Sequence, residues 1–278
     1  MIIDEILADM EAEGDDLDAL VSGIGVDQWR LPTPSPGWTI AHQISHLASS
    51  AALVTLAATD AEAFAARRAE LGSDFNETTD ARAAEFAGSP PEQLLAHWRD
   101  TRRGLQDALA AVPAGQRVPW IVTPVSPATM ASVRMMELFG HGQDIADALG
   151  VERQPTDRIE HVARFGVRTR DYAFLTRGLP VPAEEFGVTL VAPSGAEWTW
   201  GPADAAQSVS GPAVDFCLLV TQRRHRGDLS LAASGPDADR WLDIAQAYAG
   251  PPGPGRAPGQ FAGGGIVGGI VGDMLRGN

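Results

Sequence analysis

Apolar residues recur at helical spacing from the start of the chain. Ile3, Ile6, Leu7 and Met10, then Leu17, Leu20 and Val21, form one stripe. They predict a helix over residues 2–22, closed by Gly23 and Gly25. After a loop holding Pro32, Pro34 and Pro36, the stretch Ser35-Pro36-Gly37-Trp38-Thr39 opens a second helix. Ile40, Ile44, Leu47, Ala48, Ala51 and Val54 supply its apolar stripe. Residues 60–71 are alanine-rich with scattered charges and predict a third, more exposed helix. Ser89-Pro90-Pro91-Glu92 is a helix start, with serine as cap and proline in the first turn. The helix it opens, residues 91–111, turns Leu94, Leu95, Trp98, Leu105 and Leu109 inward and stops at Pro113 and Gly115. A loop with Trp120, Pro124 and Pro127 precedes a fifth helix over 128–148. Gly150 lies just past its end, where helices favour glycine.

The pattern changes after Gln154-Pro155. Residues 157–177 predict one more helix. Short runs at 188–191 and 198–200 flank a Pro193-Ser194-Gly195 turn and predict two strands. Ser210-Gly211-Pro212 predicts the start of a helix reaching about Arg224; 229–232 predicts a strand and 237–249 a closing helix. The chain thus reads as α+β: an up-down helical bundle over residues 1–152, then a smaller α+β domain over 156–250. From Gly250 glycine and proline dominate, so 251–278 is expected to be a flexible tail, its short Gly-Gly-Ile-Val repeats at 264–271 included.

Composition narrows the chemistry. A chain of 278 residues with 44% hydrophobic content buries a substantial core and suits two domains. A net charge of −15 repels phosphate backbones and anionic lipid, which argues against nucleic acid and membrane surfaces as partners. All 21 basic residues are arginine. Without lysine there is no Schiff base and no P-loop lysine. Anion recognition falls to arginine, which grips carboxylates with two parallel bonds, or to backbone N–H groups. The one cysteine, Cys217, excludes an intrachain disulfide and a cysteine-built zinc site. Its apolar run 216–220 predicts a buried structural thiol. The N-terminus lacks the basic region and apolar core of a signal peptide, and no run reaches the ~18 apolar residues of a membrane span. The expected address is the cytoplasm and the expected partners are small molecules.

Two histidines, His42 and His46, stand four apart and share a helix face. In zincins a glutamate follows the first histidine and serves as base; here that position is Gln43, which excludes the metalloprotease reading. Glu137 and His141 repeat the spacing among Met136, Leu138, Phe139 and Ile145. Burying a carboxylate and an imidazole is costly without a partner. A divalent metal held between bundle helices offsets that cost. Spacing therefore nominates four ligands: His42, His46, Glu137 and His141. Asp144 is either a carboxylate supporting a ligand histidine or a solvated helix-end residue.

Pro36-Gly37-Trp38-Thr39-Ile40, followed by His46-Leu47-Ala48, resembles the second helix of the DinB/maleylpyruvate isomerase superfamily. The stretch from Glu137 through His141-Gly142-Gln143-Asp144-Ile145-Ala146 resembles that family's second ligand helix. Ser210-Gly211-Pro212, Asp215-Phe216-Cys217, Arg223-Arg224, Gly235 and Trp241-Leu242 resemble the C-terminal domain of the mycothiol-dependent maleylpyruvate isomerase branch. The resemblance covers about residues 1–250. It implies a DinB-like bundle followed by a small sterol-carrier-like α+β domain. It also implies three metal ligands, His46, Glu137 and His141, with His42 a pocket residue or a spectator. The loop 119–124 departs from the family in lacking a glycine after Trp120, which implies a different pocket mouth.

The implied cofactors are a divalent metal, zinc before iron, nickel or cobalt, and mycothiol as the thiol cosubstrate. Two imidazoles and a carboxylate leave an open metal position, the catalytic pattern for zinc. A thiol bound there is deprotonated and adds to an electrophilic carbon. Release after rotation about a cis double bond makes an isomerase; retention of the adduct makes a transferase. A dicarboxylate substrate needs cations. Arg223 and Arg224, at the end of the predicted C-terminal helix, and Arg134, one turn before Glu137, are the candidates. The alternative for Arg223 and Arg224 is complementing the helix dipole. Trp38, Trp120 and Phe139 are candidates for pocket wall or core. Two other readings share the ligands: a non-catalytic module binding metal and a small thiol, and a metal-assisted hydrolase with His42 as base.

Overall fold

The computed structural model describes residues 3–70, 74–121 and 123–261. Four long helices form the bundle: α1 (Ile3–Ser22), α2 (Ile40–Thr59), α5 (Pro91–Ala110) and α6 (Pro127–Leu149). The two short helices between α2 and α5 are α3 (Ala61–Glu70) and α4 (Phe75–Ala84). The predicted apolar stripes meet in the middle, where Met10, Ile44, Trp98 and Met135 are each at most 1% exposed. Burying side chains of this size contributes ~1.5–3 kcal/mol apiece. Helix α6 starts and stops as its sequence dictates. Ser126 Oγ accepts from the Thr129 N–H (3.1 Å), Pro127 takes the first helical position, and Gly150 ends the helix with a left-handed φ of 66°.

Helix α4 was not expected from the sequence. Its one buried residue is Ala83, so it carries no apolar stripe to read. Polar bonds hold it instead. Asp74 caps it through the Glu77 N–H (2.9 Å), Arg82 Nη2 donates to the Ser49 carbonyl (2.9 Å), and Ser49 Oγ donates to the Arg82 carbonyl (3.2 Å). This reciprocal pair fastens α4 to α2 and fixes where the Arg82 side chain emerges.

Residues 157–177 break into a short 3-10 turn, α7 (Glu160–Arg168) and α8 (Arg170–Leu175) rather than one helix. The break falls at Thr169, whose hydroxyl donates to the Gly166 carbonyl (3.0 Å). A four-stranded sheet follows: β1 (Gly187–Val191), β2 (Glu197–Trp200), β3 (Ser208–Pro212) and β4 (Ala232–Ser234), in the order β2-β1-β3-β4. β1 and β2 form an antiparallel hairpin, β3 runs parallel to β1, and β4 is antiparallel to β3. Val188, Leu190 and Val209 are buried, as are Phe216 and Cys217 on α9 (Ala213–Val220) and Trp241 on α10 (Pro236–Ile244).

Ser210-Gly211-Pro212 does lead into a helix, α9, with Pro212 at its N-cap, and the same residues also pair with β1 as the end of β3. Three expectations change here. Helix α9 stops at Val220, so Arg223 and Arg224 follow it instead of ending it. The expected strand at 229–232 begins only at Ala232, and α10 stops at Ile244, short of 249. Beyond α10 the chain is irregular but fastened: the Ala247 N–H donates to the Val220 carbonyl (2.8 Å), and Gln246 Nε2 donates to the Tyr248 and Gly250 carbonyls (3.1 and 3.0 Å).

One continuous apolar cluster runs from the bundle into the α+β part. Buried Glu13 on α1 pairs with Arg153 (2.5 Å) and Arg158 (3.4 Å) in the connecting segment. Composition suggested a loose tail from 251 on, yet as far as residue 261 the chain is tied down. Arg256 Nη2 donates to Asp144 (2.6 Å), the Gly259 N–H donates to Asp228 (2.9 Å), and Arg224 lies 3.8 Å over the Phe261 ring. The Gly-Gly-Ile-Val repeats at 264–271 lie outside the described residues. No helix among the described residues is long and apolar enough to cross a membrane.

Candidate metal centre

Helices α2 and α6 bring three of the nominated side chains to one point. His46 Nε2 and His141 Nε2 each lie 3.2 Å from the same oxygen, Glu137 Oε2. All three atoms fall within 4.8 Å of one another. The side chains keep between 12% and 16% of their surface, so they are nearly buried but open on one side. Trp38 covers them: its ring stacks on His141 (5.9 Å between centroids, 12° between planes), and its Nε1 donates to Asp80 Oδ1 (2.7 Å).

Burial pulls the His46 imidazole down to about 4, more than the Glu137 hydrogen bond restores, so the ring is neutral near pH 7. Burial pushes the Glu137 carboxyl up, but hydrogen bonds to His141 and His46 and the Arg134 charge outweigh it and hold the group well below the usual carboxylate range. The result is an ionised, buried carboxylate between two imidazoles. Two nitrogens and an oxygen on one space are the donor set of a divalent cation with an open position. The buried Nδ1 of His46 has no hydrogen-bond partner among the described residues, so no competing contact turns the ring away.

The triad sits at the wall of a cavity of about 660 Å³ between α2, α4 and α6 on one side and α7 and residues 247–249 on the other. Five arginines line it, Arg68, Arg82, Arg134, Arg168 and Arg223, against one carboxylate, Glu137, among the described residues. That is an inversion of the chain's overall charge of −15. Arg134 is 6% exposed; one of its nitrogens donates to Ser50 Oγ, and its guanidinium lies 5.4 Å from the Trp120 ring centre. Burial lowers the pKa of Arg134 and of Arg82, and for Arg82 the Arg134 charge adds to the effect. Neither forms an ion pair among the described residues. Arg223 is anchored: its Nε lies 3.0 Å from both the Gly140 carbonyl and Asp144 Oδ2.

Comparison with known proteins places this architecture. A family model described as the mycothiol maleylpyruvate isomerase N-terminal domain matches residues 10–146, and one described as wyosine base formation matches residues 182–234. Two uncharacterized proteins of Mycobacterium tuberculosis, from strains CDC 1551 / Oshkosh and ATCC 25618 / H37Rv, are each 52% identical over 250 residues. The alignment covers 90% of this chain and 97% of theirs. A crystal structure of a mycothiol-dependent maleylpyruvate isomerase shares the fold with a TM-score of 0.56 at 17% identity, over 86% of this chain and 96% of that one. A mutant of such an isomerase gives 0.55 at 17% identity, over 79% and 88%. The chain belongs to the DinB/mycothiol-dependent maleylpyruvate isomerase superfamily.

Within this superfamily member the remaining candidates divide. Trp38, Trp120, Arg134 and Arg223 line the cavity. His42 does not. Its Nδ1 accepts from the Thr39 N–H (3.3 Å) and lies 2.8 Å from the Thr39 hydroxyl, so it closes the first turn of α2. The structure therefore places His42 at the start of α2 and not with the cavity-lining side chains. Arg224 is also withdrawn from the site, held by Asp147 through two bonds of 2.7 Å. Phe139 is 3% exposed, in the core. Asp144 is fully buried and grips Arg223 and Arg256, with Ser35 Oγ donating to it (2.8 Å); it does not touch a ligand histidine. Sequence reasoning missed Arg82, Arg68 and Arg168, which carry no motif, and Gln43, which it used only to exclude a protease. The spacing of Gln43, three before His46 on an apolar helix, was the available signal.

Proposed function

We propose that this protein is a divalent-metal enzyme that uses a low-molecular-weight thiol, mycothiol, to act on a small electrophile bearing carboxylate groups. The observation that carries the reading is the junction of the His46, Glu137 and His141 donor atoms with a cavity wall of five arginines. His46, Glu137 and His141 hold the cation, zinc by the nature of the donors. Bound there, the cation supplies the charge that keeps a thiol ionised at neutral pH. Arg82 and Arg134 on one wall and Arg223 on the other fix the substrate's carboxylates. An unpaired buried guanidinium is costly, and a bound anion relieves that cost. Trp38, Met136 and Phe165 line the same space and keep water from it. The family names of the matching model and structure agree with this reading. The hydrolase alternative is less favoured, since its candidate base, His42, does not line the cavity.

Metal analysis followed by a thiol-plus-electrophile screen tests the reading. The purified protein is expected to carry about one divalent ion per chain. His46→Ala and His141→Ala are each expected to lose it, and full retention in both variants refutes the site. In the screen, a mass-neutral change means isomerase and a retained thiol adduct means transferase; no turnover with any electrophile favours a binding module. With the metal chelated, succinate binding is expected to weaken at least about tenfold in Arg82→Gln and Arg134→Gln, as the loss of one charged hydrogen bond implies. Unchanged succinate binding removes the carboxylate part of the proposal.

A further inference from the structure

His141 Nδ1 lies 2.5 Å from Gln43 Oε1. The direction of every bond in this chain of contacts is fixed from its far end. The Thr33 hydroxyl donates to the Trp38 carbonyl (3.0 Å). A hydroxyl has one proton, so toward Gln43 it can only accept, and Gln43 Nε2 donates to it over 2.8 Å. The other end of the amide, Oε1, is an acceptor and faces His141. The His141 Nδ1 therefore carries a proton and donates it. That leaves Nε2, the atom aimed at the space shared with His46 and Glu137, as the nitrogen that can exchange its proton for a cation. Gln43 is fully buried, so water does not compete for its amide.

We propose that Gln43 is a positioning residue for the metal centre. It holds His141 as the Nδ1–H tautomer, braced through Thr33 on the Trp38 carbonyl, and so presents Nε2 to the cation. The inference rests on the metal reading of the triad. Trp38 enters twice, since its ring also stacks on His141 and limits rotation of the imidazole. The two histidines are therefore unequal. His141 is braced on its far nitrogen, whereas the far nitrogen of His46 is buried without a partner among the described residues. A glutamine suits the position because it donates at one end and accepts at the other. Glutamate keeps the acceptor for His141; methionine keeps the bulk and loses it.

Zinc titration of metal-free protein against a competing chromophoric chelator tests this. Gln43→Met is expected to weaken zinc binding by about 10–100-fold, the usual effect of removing a partner behind a ligand histidine. Gln43→Glu is expected to restore affinity to within about threefold of the parent, an estimate that follows from keeping the acceptor. Thr33→Val frees the amide to rotate and is expected to fall between. Long-range nitrogen–proton NMR of the metal-free protein at neutral pH reads the Nδ1 proton directly: held on His141 Nδ1 in the parent, shared between the two ring nitrogens in Gln43→Met. Zinc affinity unchanged in Gln43→Met overturns the proposal. So does equal loss in Gln43→Glu and Gln43→Met, which would mark a packing role. If the parent binds no zinc, the metal reading fails, and the tautomer spectrum alone decides whether Gln43 sets the ring.

Discussion

Replacing Asp144 with asparagine removes one charge from a fully buried cluster. The carboxylate faces Arg223 Nε at 3.0 Å and Arg256 Nη2 at 2.6 Å, and those side chains are only 14% and 10% exposed. Breaking a buried ion pair from one side typically costs 3–5 kcal/mol, because the partner charge stays behind. Arg223 keeps the Gly140 and Thr221 carbonyls as acceptors, which places the expected loss at the lower end, about 3 kcal/mol. For a chain of this size that lowers the melting temperature by roughly 6–12 °C. Burial raises the Asp144 pKa, but Arg223 and Arg256 outweigh it and leave it below its ordinary value. A depressed folded-state pKa gives stability that is present above the unfolded value, about 3.9, and is lost as pH falls through the folded one. The gap between parent and Asp144→Asn is therefore expected to be full at pH 7 and to narrow below about pH 4. Thermal melts by circular dichroism across that range measure both. A loss under about 1 kcal/mol at pH 7, the scale of an exposed ion pair, would refute the argument.

Packing and reactivity give two further tests. A Cβ at Gly166 on α7 would lie 2.9 Å from Val220 Cγ2 and 3.1 Å from the Phe216 ring, so Gly166→Ala is expected to cost about 1–3 kcal/mol in a urea melt, and a neutral result would mean that α7 and α9 separate freely. Cys217 is fully buried, and burial pushes its thiol pKa up. It is expected to resist a disulfide reagent in the folded protein and react at once in denaturant; fast labelling of the native state would contradict the packing of α9 on the sheet.

The sequence made the long helices legible because each carries its own evidence. The stripes of α2 and α6 are periodic, and Ser126, Pro127 and Gly150 mark the ends of α6 by local chemistry. Helix α4 was illegible for the opposite reason: what holds it is a reciprocal bond with Ser49, 33 residues away. Ser210-Gly211-Pro212 announced the helix that follows it, but not its own place in β3, because that depends on pairing with a separate strand, β1. The ligand candidates were readable as two four-residue spacings. Their union, the exclusion of His42 and the arrival of Arg82 required α2, α4 and α6 to be placed against one another. The division of labour between Arg223 and Arg224 turned on Asp144 and Asp147, whose directions no spacing rule supplies.

The Arg256 contact has a meaning for how the chain is made. Asp144 lies on α6, the fourth long helix to be synthesised, but its second arginine follows 112 residues later. At ~5–20 residues per second, that is a delay of roughly 6–22 s. During that interval the bundle can gather its apolar core while one carboxylate inside it lacks its full pair of counter-charges. The seat of the cavity's Arg223 is thus completed by Arg256, which follows both the bundle and the sheet in the chain, so the cavity matures after the scaffold that surrounds it.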